Sequence, residues 1–371
     1  MRLRVRGKML ALLLGSLVIV QGCIVAYMAV RVRSNAVNKA TQLVTVSAER
    51  NAEKISKIMN SLVMITKTFA MALQGIDGES RDARHNVLDI TRQILEETPE
   101  ALATWFVFEP NAFDGKDSEY IDEFNRTGRF KGTFIREEGG VTGTGGASEG
   151  ALTGSWYQLP VSTGKIVLLE PYCYSYTNGG TSYFITGVSV PMKINGKVVG
   201  VVGIDIDLNF VADEVAATSV TDNSYNILRS NKGIYIYHPN TSLRGKKFKN
   251  VFNGKMDNMQ EISSIIAPGS KKTFISRSLK LGTDSLKACV PVPFGADLAP
   301  WELSIIVPLS DVTAEANILV RNLLLVSLLG MALLGLSIFM ISGTIVKPIV
   351  GISDVLNKLA RLDFRRDHSK L

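Results

Sequence analysis

Residues 189–207 read Ser-Val-Pro-Met-Lys-Ile-Asn-Gly-Lys-Val-Val-Gly-Val-Val-Gly-Ile-Asp-Ile-Asp. Asn195-Gly196 is a strong hairpin signal, because both residues tolerate positive φ. It joins strand candidates at residues 182–190 and 196–206. An antiparallel pair of that length, apolar at Val201, Val202, Ile204 and Ile206, puts a sheet in the middle of the chain.

Upstream, residues 34–75 read as one long helix. They contain no proline, and Val37, Leu43, Val44, Ala48, Ile55, Met59 and Leu62 recur near helical spacing. A second helix is expected at about 81–98, then a strand at 101–108 that Glu109-Pro110-Asn111 ends. The stretch after it reads as loop, and the glycine-crowded residues 139–150 read as irregular. Another strand candidate lies at 165–169, and a short helix follows Asp207. Downstream the pattern repeats, with strand candidates at 225–229, 233–238, 272–278, 288–292 and 301–306 and a helix near 255–264. The expected class is α/β of the α+β kind. One long N-terminal helix carries a distal antiparallel-sheet lobe (about 101–207) and a proximal one (about 220–308).

The 371 residues are 46% hydrophobic with a formal charge of +7. Residues 9–30 and 323–346 carry no charge, and at 1.5 Å per residue either would cross a roughly 30 Å hydrocarbon core. Residues 1–30 hold four basic and no acidic side chains, and residues 347–371 hold six basic and three acidic ones. That leaves 31 of each sign between them, so the excess charge sits at the two ends and places both in the cytoplasm. Residues 31–320 are then extracytoplasmic and neutral, without a docking stripe for nucleic acid. The three histidines (His85, His238, His368) are far apart, and no CxxC occurs, so no metal or other cofactor is expected. No nucleophile with its base and no paired acids stand out, so no enzyme is expected. Cys173 and Cys289 lie in separate strand contexts, which argues against a bridge.

Several stretches in this order resemble the double Cache sensor domain of bacterial transmembrane receptors. They are Thr104-Trp105-Phe106-Val107-Phe108-Glu109-Pro110-Asn111, Thr127-Gly128-Arg129-Phe130, Ser155-Trp156-Tyr157, Glu170-Pro171-Tyr172 and the hairpin through Asp205. In the second lobe, Asn231-Lys232-Gly233-Ile234 and His238-Pro239-Asn240 are similar to the matching proximal module. Residues 347–371, with Lys347-Pro348 and the seam Ile352, Val355, Leu356, Leu359 and Leu362, resemble the first helix of a HAMP linker. The resemblance implies PAS-like lobes between two transmembrane helices and a multi-pass protein of the bacterial inner membrane. It also implies the sensing half of a methyl-accepting chemotaxis receptor, cut within its linker, with its cytoplasmic output domain absent. The sensor of a histidine kinase or cyclase is the alternative, and a non-signalling solute-binding or adhesive membrane protein is the alternative of another class. Homodimers through the long helix, the membrane bundle and the HAMP coil are implied as well.

The family binds small molecules mainly in the distal lobe. The residues singled out there are Trp156, Tyr157, Tyr172, Tyr174 and Asp205, with Arg129 and Tyr183 as further contacts. Trp156 and Tyr157 point to opposite faces if they lie on a strand, and both reach a pocket if they lie on a loop. Tyr172 and Tyr174 share a face on a strand. Asp205 interrupts an apolar strand, so it either meets a ligand ammonium or caps the next helix; for Asp207 the cap reading leads. Amino-acid-binding members place an arginine two residues before the tryptophan and a tyrosine five residues further back. Here those positions are Gly154 and Glu149. The implied ligand is therefore an amine or another small metabolite rather than an α-amino acid. His238 reads as structural.

Overall fold

The structure is a computed structural model, and it describes residues 3–122, 125–177, 180–252, 270–295 and 297–360. Two units are distinguished, residues 41–311 on one hand and the two ends of the chain on the other.

In the larger unit, helix α1 (Leu3–Gln74) contributes its second half. Val44, Ala48, Ile55, Met59, Leu62, Phe69 and Leu73 form its buried stripe, spaced throughout by three, four or seven. That half runs along both lobes. Ser56 donates to the Pro293 carbonyl at 2.6 Å, and Asn60 accepts from the Gly295 amide at 2.9 Å. Further along, Gln74 donates to the Lys193 carbonyl beside the Asn195-Gly196 turn.

The distal lobe begins with α2 (Ala83–Glu96) and β1 (Ala103–Phe108). Then come β2 (Lys131–Glu137), β3 (Gly140–Thr144), α3 (Ser155–Thr163), β4 (Val167–Leu168) and β5 (Tyr172–Tyr174). The long hairpin is β6 (Tyr183–Ile194) and β7 (Lys197–Asp207). The sheet order is β3-β2-β1-β7-β6-β4, with β5 also on β6 and these strand pairs all antiparallel. One face of β1 packs on α2, where Thr104 donates to the Thr91 carbonyl at 2.8 Å. The other face, with Trp105 and Val107, is left for the site.

After α4 (Leu208–Ala216), the proximal lobe follows as β8 (Tyr225–Arg229), β9 (Tyr235–Tyr237), α5 (Phe248–Phe252), β10 (Lys272–Arg277), β11 (Asp284–Phe294) and β12 (Leu298–Pro308). Its sheet order is β10-β11-β12-β8-β9. Strand β12 runs without a loop into the last helix, α6 (Leu309–Ala360).

The expected architecture, a long helix with two antiparallel-sheet lobes between two apolar helices, is the observed one. Locally it differs. Residues 131–144 form a hairpin rather than loop, with Gly140 at φ 118° behind the turn. Pairing of β2 with the buried β1 outweighs the poor strand propensity of Gly140 and Gly143. Trp156 and Tyr157 lie on a helix, which neither a strand nor a loop reading anticipated. Cys173 and Cys289 are free thiols. The expected helix near 255–264 lies outside the described residues, as does Leu362 of the HAMP-like seam.

In the smaller unit, α1 and α6 each contain a stretch long and apolar enough to cross a membrane. Most of their large apolar side chains there are exposed, as a lipid-facing surface requires, and Gln21 donates to Ser327 Oγ at 3.1 Å.

The loop between β1 and β2 is fixed by one buried arginine. Arg84 on α2 meets Asp114 at 2.7 and 2.9 Å and Asp117 at 3.0 Å, and its guanidinium lies 3.8 Å from the Tyr120 ring centroid. Gly128 makes the close turn behind it possible: its φ is +67°, and a Cβ there would stand 1.8 Å from the Asp117 carbonyl oxygen. Burial alone would raise the Asp114 carboxyl, but the hydrogen bonds from Arg84 and the Lys116 amide outweigh it and hold it below its ordinary value. Removing the cation strands two carboxylates. Arg84→Leu is expected to destabilise the distal lobe by about 3–5 kcal/mol in chemical denaturation. A change under about 1 kcal/mol would show that the ion cluster does not hold the loop.

Candidate functional site

Strand pairing sets the site. Trp105 pairs with Gly203 across β1–β7, and Ala103 pairs with Asp205. With a period of two, Trp105, Val107, Gly203 and Asp205 therefore share one face. Gly203 supplies the room: a Cβ there would lie 2.1 Å from Trp105 Cζ2. Gly187, opposite Asp205 on β6, leaves space for the carboxylate in the same way, at 2.7 Å from Oδ1.

Asp205 is buried, 4% exposed, yet it has no cation beside it among the described residues. Its two oxygens are held by neutral donors, Trp105 Nε1 at 3.2 Å and Tyr176 Oη at 2.6 Å. Burial pushes its carboxyl up to about 6, against the downward pull of those hydrogen bonds. Burial and the carboxylate together also keep the Tyr172, Tyr174 and Tyr176 hydroxyls above their ordinary value, so they stay protonated donors.

Around this carboxylate lies a cavity lined by Trp105, Trp156, Tyr172, Tyr174 and Tyr176 together with Val107 and Thr133. The rings pack edge to face: Trp105 on Trp156 with centroids 4.8 Å apart at 78°, and Tyr174 on Tyr176 at 4.9 Å and 81°. The free volume is about 20 Å³, so a ligand enters only by displacing a ring. Trp156 stands on the short helix α3, which starts at Gly154 and ends at Gly164 in the left-handed conformation. A Cβ at Gly154 would lie 2.6 Å from Trp156 Nε1, so an arginine there is incompatible with this indole position.

Of the residues singled out from sequence, Trp156, Tyr172, Tyr174 and Asp205 line the cavity. Tyr157, Arg129 and Tyr183 are placed elsewhere. Tyr157 packs behind the cavity wall with Trp105 and Val107, and its hydroxyl donates to Glu109 and accepts from Arg129. Arg129 also donates to the Phe108 carbonyl at 2.7 Å and pairs with Glu149 at 3.5 Å, a clamp on the β1–β2 loop. Glu149 is further held by Lys131 at 2.6 Å. Tyr183 packs with Ile185 and Leu102 in a neighbouring cluster. Asp207, rather than Asp205, caps α4, accepting from the Asn209 amide at 2.9 Å. Trp105 and Tyr176 were not singled out. The alternation Tyr172, Tyr174, Tyr176 was the available signal for one, whereas Trp105 is recognisable only once the β1–β7 register is known.

Residues 87–213 match the first PDC sensor domain of the methyl-accepting chemotaxis protein-like family. The chain carries a sensor domain of this double Cache kind. Over 256 residues, 63% of the chain, the sensor protein is 28% identical to the methyl-accepting chemotaxis protein TlpQ of Pseudomonas aeruginosa. The match spans about a third (34%) of that relative's length. The crystal structure of the extracellular domain of mmHK1S-Z3, named as a histidine kinase, is 25% identical with a TM-score of 0.64, covering 76% of this chain and 97% of that one. The ligand-binding domain of the Pseudomonas fluorescens chemoreceptor CtaA, in complex with L-isoleucine, shares the fold at 16% identity and a TM-score of 0.52, covering 76% and 98%. The matched regions of these relatives are sensor domains, and the two apolar helices fit a multi-pass inner-membrane protein with this domain outside the cytoplasm.

An unrelieved buried carboxylate has a thermodynamic signature. Because the folded state raises the Asp205 carboxyl from 3.8 to about 6, it binds more protons than the unfolded state between those values. Stability contributed below about pH 4 is therefore lost as pH rises to about 6. Asp205→Asn is expected to stabilise the ligand-free protein at pH 7 by on the order of 3 kcal/mol, read as a Tm higher by several degrees. An equal or lower Tm would mean the carboxylate is not a liability in the folded protein.

Proposed function

We propose that this chain is the sensing half of a transmembrane chemoreceptor, and that the distal lobe binds a small organic cation between the aromatic rings and Asp205. The single observation behind this reading is the carboxylate itself, buried among five aromatic rings and lacking any counter-charge among the described residues. Ring faces stabilise an ammonium by cation–π attraction, and Asp205 supplies a charge-assisted hydrogen bond. An α-amino acid fits this chemistry less well. The position two before Trp156 is Gly154, and Arg129 is occupied by Glu149, Glu109 and Tyr157.

Binding displaces a ring from the cavity, and the rings belong to α3, β1, the strand β5 paired to β6 and, for Tyr176, the segment just after β5. Ligand affinity that differs between two arrangements of these elements is what biases a signalling equilibrium. We infer a homodimer as the working unit, because α1 leaves Leu43, Val46, Met64 and Met71 exposed outside the membrane segment. In this reading residues 9–30 and 323–346 cross the membrane, and residues 347–371 open a HAMP linker to an output domain. The likeness to TlpQ supports a chemotaxis output, and the likeness to mmHK1S-Z3 supports a histidine kinase as the second reading.

The test is calorimetric titration of the full chain in lipid nanodiscs with phenethylamine and other primary amines, against 2-phenylethanol as the uncharged counterpart. The amines are expected to bind, the alcohol at least tenfold more weakly, and Trp156→Ala and Asp205→Asn to lose at least tenfold in affinity. Since an ammonium favours the ionised carboxylate, affinity falls as pH drops below about 6, with a proton released on binding. Equal binding of amine and alcohol, or affinity indifferent to Asp205, would contradict this reading.

A further inference from the structure

A second cavity lies in the other lobe. About 290 Å³ lies between the outer face of β8, β11 and β12 and the segments that cover it, at the small end of the size range for ligand pockets. Its charge is opposite to that of the distal site. Arg229, Lys280 and Lys287 line it, and among the described residues no carboxylate does.

Arg229 is already neutralised. It is buried, pairs with Glu302 at 2.7 Å and donates to Ser304 Oγ at 2.9 Å. Lys287 is different. Its side chain is buried, its ammonium reaches the Arg277 carbonyl at 3.2 Å, and it has no acidic partner among the described residues. That leaves spare N–H donors on a buried cation. Lys280 stands over the Tyr225 ring with its Nζ 4.7 Å from the centroid. His238 accepts the Asn240 amide on Nδ1 at 2.9 Å, so its remaining proton sits on Nε2 as a further donor at the cavity wall. Burial holds His238 at about 4, neutral at pH 7, and likewise pulls Lys287 below its ordinary value, so an anion would relieve Lys287. The rest of the lining is apolar, chiefly Ile227, Phe248, Phe274 and Ile306.

We propose that the proximal lobe holds a second ligand site, specific for a small monocarboxylate with an apolar body whose carboxylate meets Lys287 and Lys280. The apolar part lies against Ile227 and Phe274. The site does not rest on the distal cage. It sits closer to the output, because Ser304 and Ile306 on β12 come only a few residues before the start of α6 at Leu309. The chain then reads two ligand classes of opposite charge.

The experiment is titration of the full chain in nanodiscs with butyrate, benzoate and phenylacetate, with phenylacetamide as the uncharged control. At least one carboxylate is expected to bind saturably, and the amide at least tenfold more weakly. Lys287→Met should lose at least tenfold, Lys287→Arg should keep most of the affinity, and Ile227→Trp should block the cavity. Asp205→Asn should leave carboxylate binding unchanged, which separates this site from the distal one. If Lys287→Met does not fold, Lys287→Arg and Ile227→Trp decide. No saturable carboxylate binding, amide binding as tight as the acid, full affinity in Lys287→Met or Ile227→Trp, or loss in Asp205→Asn would each overturn the proposal.

Discussion

The sensor turns on one carboxylate without a counter-ion. Asp205 is removed from water, and the groups that hold it, the Trp105 indole N–H and the Tyr176 hydroxyl, bring hydrogen bonds but no charge. A pair of neutral donors offsets part of the desolvation cost and leaves the rest. In the proposed reading, that remainder is what a cationic ligand would recover as binding free energy. It also explains why the surrounding side chains are rings rather than aliphatic groups, since a ring is apolar toward the protein and attractive toward a cation. Had an arginine stood at residue 154, the indole of Trp156 could not occupy its place.

The remainder of the distal lobe keeps that arrangement in register. β7 is paired on both sides, to β1 and β6, so Asp205 cannot slip by one residue without turning its apolar neighbours Ile204 and Ile206 outward. Gly203 and Gly187 are small because the indole and the carboxylate need the space. α2 closes the opposite face of β1, and the Arg84 cluster fixes the loop that carries Phe113 and Phe130 against it. Two residues past Asp205, Asp207 starts α4, which leads to the proximal lobe; β12 of that lobe leads directly to α6. Site and last helix are thus each joined to their lobe by a strand that is paired on both sides, β7 running into α4 and β12 into α6.

Much of this was legible in the sequence, for physical reasons that differ by element. The β6–β7 hairpin was, because Asn195 and Gly196 adopt φ of 52° and 80° and few other pairs do. So was the Asp207 cap, a local hydrogen bond between residues two apart. The helix α1 was, because its stripe is continuous. The β2–β3 hairpin was not: glycine at residues 139, 140 and 143 argues locally for irregular chain, and only β1 alongside makes the strand worthwhile. The site was half legible. Tyr172, Tyr174, Trp156 and Asp205 stood out by residue type and interrupted pattern. Trp105 owes its role to a pairing a hundred residues away, and Arg129 looked like a spare cation because its partners, Glu109 and Glu149, are assembled only by the fold. His238, read as structural, does carry a local hydrogen bond to Asn240, and it also borders the proximal cavity, which no local pattern announced.

The most direct measurement of the central idea is the ionisation of Asp205 itself, followed by infrared difference spectroscopy of the protonated carboxyl band, wild type against Asp205→Asn, as pH is varied. The band is expected to disappear with a midpoint near 6 in the absence of ligand, and to do so at lower pH once a saturating primary amine is added. A midpoint in the ordinary carboxylate range without ligand, or one that the amine leaves unmoved, would contradict a buried, uncompensated carboxylate waiting for a cation.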